Sequence, residues 1–173
     1  MVRRTSAVQR QITVIILLIP LVALVGCQAN TTRAEEEFRA MIGPTLNSRV
    51  LLVTDKQQYR LGEGINYWVV NNTEQTLWLK DSLANLSVYH YNEAANQWER
   101  LVLLPVTLLD PIPIEIQPGN GSFPEFGRVP TRNWGNQLKK TSTVRLLVHC
   151  SIDPNQLERT DYSAYKDVEI VVP

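Results

Sequence analysis

From Ser48 to the C-terminus apolar side chains recur at every second position, and this period constrains the fold more than any other feature of the chain. A strand sends successive side chains to opposite faces, so alternation marks a half-buried sheet, whereas an amphipathic helix repeats every three or four residues. In "GINYWVVN" Ile65, Tyr67 and Val69 share one face while Asn66, Trp68 and Val70 share the other, and in "TLWLK" Leu77 and Leu79 oppose Thr76, Trp78 and Lys80. "LSVYHYN" sets Leu86, Val88 and His90 against Ser87, Tyr89 and Tyr91. Later, "TVRLLVHC" sets Val144, Leu146 and Val148 against Arg145, Leu147 and His149, and "DVEIVV" sets Val168, Ile170 and Val172 against Glu169. The punctuation between these runs is turn chemistry: Leu61-Gly62-Glu63-Gly64, Asn71-Asn72-Thr73, Asn92 to Asn96 and Pro118-Gly119-Asn120-Gly121. Short strands without a helix long enough for a βαβ crossover predict an all-β fold, an antiparallel β-sandwich over residues 48–173.

The segment ahead of the strands is of a different kind. Residues 1–11 carry Arg3, Arg4 and Arg10 without an acid, and Ile12 to Val25 form an apolar run of fourteen residues. That length suits the apolar region of a secretory signal. As a helix it would reach only about 21 Å, short of a hydrocarbon core of about 30 Å, and Pro20 interrupts it. The remaining chain has room for one domain, and its 44% apolar and 20% charged residues are globular in balance. Without the three leader arginines 14 basic side chains face 17 acidic ones, a net charge of −3 with no basic cluster for nucleic acid or anionic lipid.

Leu24-Val25-Gly26-Cys27 resembles the bacterial lipobox, lying where that motif belongs, after a basic start and an apolar run. The resemblance implies a lipoprotein signal peptide over residues 1–26, cut between Gly26 and Cys27, with the Cys27 thiol converted to a diacylglycerol thioether and its freed amine acylated, commonly with palmitate. Two or three acyl chains anchor a protein stably where one is marginal, each buried methylene contributing about 0.8 kcal/mol. Gln28 after the cysteine resembles the outer-membrane sorting pattern of diderm bacteria, and Thr5-Ser6-Ala7 after Arg3-Arg4 does not match a twin-arginine signal. The protein is thus expected on the extracytoplasmic side of a bacterial envelope membrane. With Cys27 lipidated, Cys150 is the one thiol left and is expected as a buried apolar side chain.

Residues 27–47 read as a lipid-anchored linker. Thr32 and Glu35 have the spacing of a capping box, and Glu35, Glu36 and Glu37 favour a helix N-terminus. A helix of about two turns, stopped before Gly43 and Pro44, would serve as a spacer, or would pack onto the domain through Phe38, Met41 and Ile42. The stretch "VTDKQQYRLGEGINYWVVNNTEQTLWL" resembles bacterial immunoglobulin-like domains, which open with T-D-K-x-x-Y-x-x-G-E and a strand ending in N-N-x, and "IEIQPGNGS" is similar to their later strand and P-G turn. The likeness implies a fold and no activity. Where such domains approach the last strands with G-x-Y, this chain has Trp134-Gly135 followed by Lys139-Lys140, which leaves strand order there open. The layout is also similar to bacterial proteinase-inhibitor domains.

No nucleophile with a base, carboxylate pair or metal cage has a recognisable spacing, so no catalytic residue, metal or cofactor is expected. His149 and Cys150 are adjacent in a strand and point to opposite faces, and His90 meets His149 only if the tertiary fold brings them together. Asp153, Glu158 and Asp161 lack the alternation and central glycine of a calcium loop. One constellation remains: Trp68, Trp78, Tyr89 and Tyr91 lie on the polar faces of their strands and would form an aromatic platform for a sugar or a partner protein, unless Trp98, the linker or the Pro-rich "LLPVTLLDPIPIEI" covers it. The expectation is a non-catalytic binding or protein-interaction module bound to the membrane through Cys27, its partner another envelope protein or a cell-surface glycan. The alternatives are an inhibitor presenting Leu108 to Ile116, or a carbohydrate-binding domain using Trp68 and Trp78.

Overall fold

Each alternating segment becomes a strand in the computed structural model, which describes residues 33–80, 86–103, 113–120 and 127–173. The strands are β1 (Val50–Thr54), β2 (Gln58–Arg60), β3 (Gly64–Asn71), β4 (Leu77–Lys80), β5 (Leu86–Asn92), β6 (Gln97–Arg100), β7 (Pro113–Ile116), β8 (Gly127–Pro130), β9 (Ser142–Cys150) and β10 (Tyr162–Val171). They form a five-stranded sheet of order β2-β10-β9-β5-β6, a three-stranded sheet of order β1-β3-β8, and a β4-β7 pair. Ile65, Tyr67 and Val69 of β3 and Val144, Leu146 and Val148 of β9 belong to one core, joined by Leu77, Leu79 and Ile116 from the small pair. The chain is therefore all-β in its body, with one core between its sheets. Among the described residues no helix is long and apolar enough to cross a membrane.

The pairing departs from the antiparallel expectation where the N-terminal part of the chain meets β10: β2 runs parallel to β10 with Tyr59 opposite Ile170. The chain reaches β10 twice, first at a parallel bridge between Leu46 and Ser163 and again at β2, and between these it crosses to the other sheet as β1. Because it keeps its direction through both crossings, the second contact must also be parallel. Three residues, Gln58 to Arg60, are too few for a period to reveal this.

The residues that carry the immunoglobulin-like resemblance hold this crossing in place. Tyr59, 1% exposed, donates its hydroxyl to Asp55 Oδ1 at 2.5 Å, and Asn66 Nδ2 donates to Asp55 Oδ2 at 3.1 Å. Burial, reinforced by that bond to Asp55, pushes the Tyr59 phenol up to about 12. The first asparagine of the N-N-x turn, Asn71, is buried; its Oδ1 accepts from Thr73 N and Oγ1, while its Nδ2 donates to the carbonyls of Gln75 and Ile116. It ties the β3-β4 turn to β7. Gly127 lies opposite Tyr67 in the β3-β8 ladder, and a Cβ there would stand 2.1 Å from the tyrosine ring. Where strand order was open, a 3-10 turn over Arg132–Trp134 buries Trp134 and delivers the chain to β9.

A helix, α1, occupies residues 33–42 and gives way to a 3-10 turn at Gly43–Thr45, where Gly43 takes φ +75°. Ala34 and Phe38, one turn apart, are buried, and Ile42 is half-buried a turn later. The helix is no free spacer. It lies against the outer face of the five-stranded sheet, because Phe38 finds an aromatic bed there that the linker sequence by itself does not disclose.

Candidate functional site

The outer face of the five-stranded sheet is set by register. In the β9 ladders Arg145 lies between Asp167 of β10 and Tyr89 of β5, and Tyr91 of β5 is opposite Trp98 of β6. Arg145 is central on this face and 3% exposed. Its Nε and Nη2 donate to the two carboxylate oxygens of Asp167, each at 2.7 Å, and its Nη1 donates to Glu35 Oε2 of α1 at 2.7 Å. The planar fork suits this bidentate pairing and also stacks on aromatic rings. The guanidinium carbon sits 4.0 Å from the ring centres of Trp98 and Tyr165 and 4.5 Å from that of Phe38. A buried cation is thus neutralised by two carboxylates and enclosed by three rings.

The electrostatics follow from that geometry. Burial works against the Arg145 charge, yet the bonds and charges of Asp167 and Glu35 outweigh it and hold its pKa above the ordinary guanidinium value. Burial likewise pushes Glu35 up, but hydrogen bonds from Tyr165 and Arg145, with Arg39 adding a third, leave its carboxyl below the usual range. Tyr165 donates to Glu35 Oε1 at 2.7 Å, and burial together with this bond raises its own pKa. Phe38 meets Tyr89 edge-on at 5.2 Å and Tyr165 edge-on at 5.9 Å, the arrangement ring quadrupoles favour.

Of the four aromatic residues expected to form a platform, Tyr89 and Tyr91 belong to this face, and Tyr89 is covered by Phe38. Trp78 bridges to Ser151, six residues beyond Arg145 along β9, a separation of about 20 Å. Trp68 lies on the outer side of the three-stranded sheet, opposite Val53 of β1, with the core between it and the tyrosines. The four do not share a surface. Trp98, Tyr165, Phe38, Glu35 and Arg145 complete the observed cluster. Its signal in the sequence is a lone arginine in the middle of the apolar β9 segment, matched by the Glu35-x-x-Phe38 spacing in the linker.

Beneath the C-terminal end of α1, His149 Nδ1 and Ser163 Oγ are 2.9 Å apart, and Ser163 Oγ is also 2.9 Å from Thr45 Oγ1. Ser163 is 0% exposed, so this hydroxyl fastens the turn after α1 to β9 and β10. Burial, helped by the Arg100 charge, lowers the His149 pKa. His90 is on the inner side of β5, opposite Val144, and pairs with Glu99 at 3.3 Å; the two histidines are on opposite faces of the sheet. Cys150 is buried in the core, which pushes its thiol up to about 12. In the acidic loop Asp161 accepts from Ile152 N, Asp153 accepts from Asn155 N, and Glu158 pairs with Lys80. Among the described residues no three His, Cys, Asp or Glu side chains are grouped to hold a metal. Gly26 and Cys27 of the lipobox-like motif lie outside the described residues, as do residues 108–112 of the inhibitor-like segment.

No family model and no curated protein matches the chain. Among solved structures it is similar to an alkylpurine DNA glycosylase, AlkC, from Pseudomonas fluorescens at 12% identity, with 76% of this chain and 33% of that one covered and a TM-score of 0.32. A superoxide reductase (neelaredoxin) from Ignicoccus hospitalis matches at 9% identity over 73% of this chain and 82% of that one, TM-score 0.28. The sporulation control protein Spo0M from Bacillus subtilis matches at 14% identity over 72% and 48%, TM-score 0.31. The chain thus spans about a third of the first of these proteins, and likenesses at such TM-scores carry no argument about what it does.

Proposed function

We propose that this chain is a bacterial envelope lipoprotein, anchored through acyl chains on Cys27 on the extracytoplasmic side of a membrane, whose immunoglobulin-like β-sandwich is a non-catalytic interaction module held close to the bilayer. In a diderm organism that membrane is the outer one. The observation that carries the reading is the docking of α1: the segment following the lipobox lies on the domain through Glu35 and Phe38. Residues 28–32 separate Cys27 from the described helix, and six residue steps reach at most about 20 Å. Helix, five-stranded sheet and three-stranded sheet stack at about 10 Å per layer. So short a tether turns the helix-bearing face towards the membrane and the Trp68 face away from it. Two sheets sharing one core, with the chain switching from β10 at Leu46 to the other sheet at β1, support the immunoglobulin-like assignment.

The test is metabolic labelling of a bacterium expressing the full chain with an alkyne fatty acid. The label is expected on the protein in the membrane fraction and lost in Cys27→Ala, and a labelled Cys27→Ala protein overturns the anchor. In-cell cross-linking is expected to capture a specific partner through positions near Trp68. Cell-wall glycan captured in its place, with binding lost in Trp68→Ala, favours carbohydrate recognition.

A further inference from the structure

The bed of α1 is built as a receptor, and the helix does not fill it. Three clefts lie between the helix and the sheet. One of about 180 Å³ lies between Glu35, Tyr91, Trp98 and Arg145, one of about 160 Å³ between Ala34, Phe38, Met41 and Trp98, and one of about 230 Å³ between Met41, Ile42, Tyr89 and His149. Of the ten helical residues only Ala34 and Phe38 are buried, and Met41 is 57% exposed. The hold is thus one ring, one methyl group, the Glu35–Arg145 pair and the Tyr165 hydroxyl, which donates to Glu35 and accepts from Arg39. A second helix carrying the same carboxylate and ring replaces these contacts one for one, so a ligand present well above its Kd can displace α1 by mass action. The connection at the far end is a hinge of suitable kind, with Gly43 in the left-handed region followed by Pro44.

We infer that this face is an exchangeable helix-binding site, filled in cis by residues 33–42 and open in trans to an amphipathic helix that presents a carboxylate and, three residues later, an aromatic ring. The carboxylate of such a helix takes the Arg145 Nη1 position now held by Glu35, and its ring takes the place of Phe38 among Tyr89, Trp98 and Tyr165. Bulkier neighbouring side chains fill the flanking clefts. This deepens the interaction-module reading and rests on it, while remaining independent of lipidation at Cys27.

The experiment uses the full chain and a fluorescein-labelled peptide with the sequence of residues 33–42. Binding to the full chain carrying Glu35→Gln and Phe38→Ala is expected to be at least about tenfold tighter than to the unaltered chain, whose groove is filled. Peptides with Gln at the Glu35 position or Ala at the Phe38 position are expected to lose that binding. A folded double variant that ignores the peptide, or one that binds all three peptides alike, overturns the proposal. Hydrogen exchange on the unaltered chain is the second measurement. The α1 amides are expected to exchange through a local opening well before those of β9 and β10, and exchange only with global unfolding overturns exchangeability. Fatty-acid labelling of Cys27 is untouched by either result, so failure here is distinct from failure of the anchor.

Discussion

The outer faces of the two sheets start from similar material: Tyr89, Tyr91, Trp98 and Tyr165 on one, and Trp68, Leu51, Val53 and Val70 on the other. On the first, a charged residue stands at the centre, and the rings and a helix close over it. On the second no described helix lies over the rings and aliphatic groups, and Leu51 remains 43% exposed. The difference lies in Arg145. A guanidinium in mid-sheet has to be paired and enclosed, and pairing it recruits Glu35 from 110 residues away, bringing Phe38 with it. Aromatic residues alternating on a strand therefore do not define an open platform unless the charge among them is accounted for.

Removing that charge breaks the comparison most directly. Arg145→Ala leaves Glu35 and Asp167 facing each other without a counter-ion and is expected to cost about 3–5 kcal/mol in urea unfolding, with α1 released. Arg145→Lys keeps a charge but loses the fork and the stacking, and is expected to recover part of that loss. Phe38→Ala is expected to cost about 2–3 kcal/mol, read as loss of helix protection in hydrogen exchange while the sheets persist. On the opposite side of the core Gly127→Ala forces Tyr67 aside and is expected to cost about 1–3 kcal/mol without disturbing α1.

Acid sharpens the same contrast. Glu35 has a folded pKa below its unfolded value of about 4.5, so its contribution is complete above that pH and is lost as pH falls through the folded value. His149 is also lowered, from 6.5, so protons favour the unfolded chain as pH drops through that value. Loosening of α1 is expected to begin below about pH 6.5 and to deepen below about 4.5, with Glu35→Gln removing the second stage in a pH series of hydrogen exchange. On the other face Trp68 is half-buried, and Trp68→Ala is expected to cost about 1–2 kcal/mol in urea unfolding while leaving α1 protection unchanged.

Strands were legible because one face of each meets the core: Ile65, Tyr67 and Val69, or Val144, Leu146 and Val148, announce themselves every second residue. Burial of β9 on both faces was not, since Arg145 and Leu147 read as an outward side until a helix from the far end of the chain covers them. The capping-box reading used Glu35 locally, whereas its oxygens accept from Arg145, Tyr165 and Arg39; Thr32 lies outside the described residues. Alternation places Tyr89 and Tyr91 on one face of β5 but does not show that Trp68 and Trp78 lie elsewhere, because it assigns a side chain to a face of its own strand and does not say which sheet that strand enters.

The crossing of the chain between sheets has a mechanical consequence. A pull delivered through the N-terminus first meets α1, whose few contacts come away in succession, as in peeling. It then meets the Leu46–Ser163 bridge and β2, where the chain runs alongside β10 and the hydrogen bonds are loaded together, in shear. Tension arriving through the N-terminus would thus be released by the helix as added reach, much as a fuse opens before the circuit behind it, and the body of the domain would keep its shape.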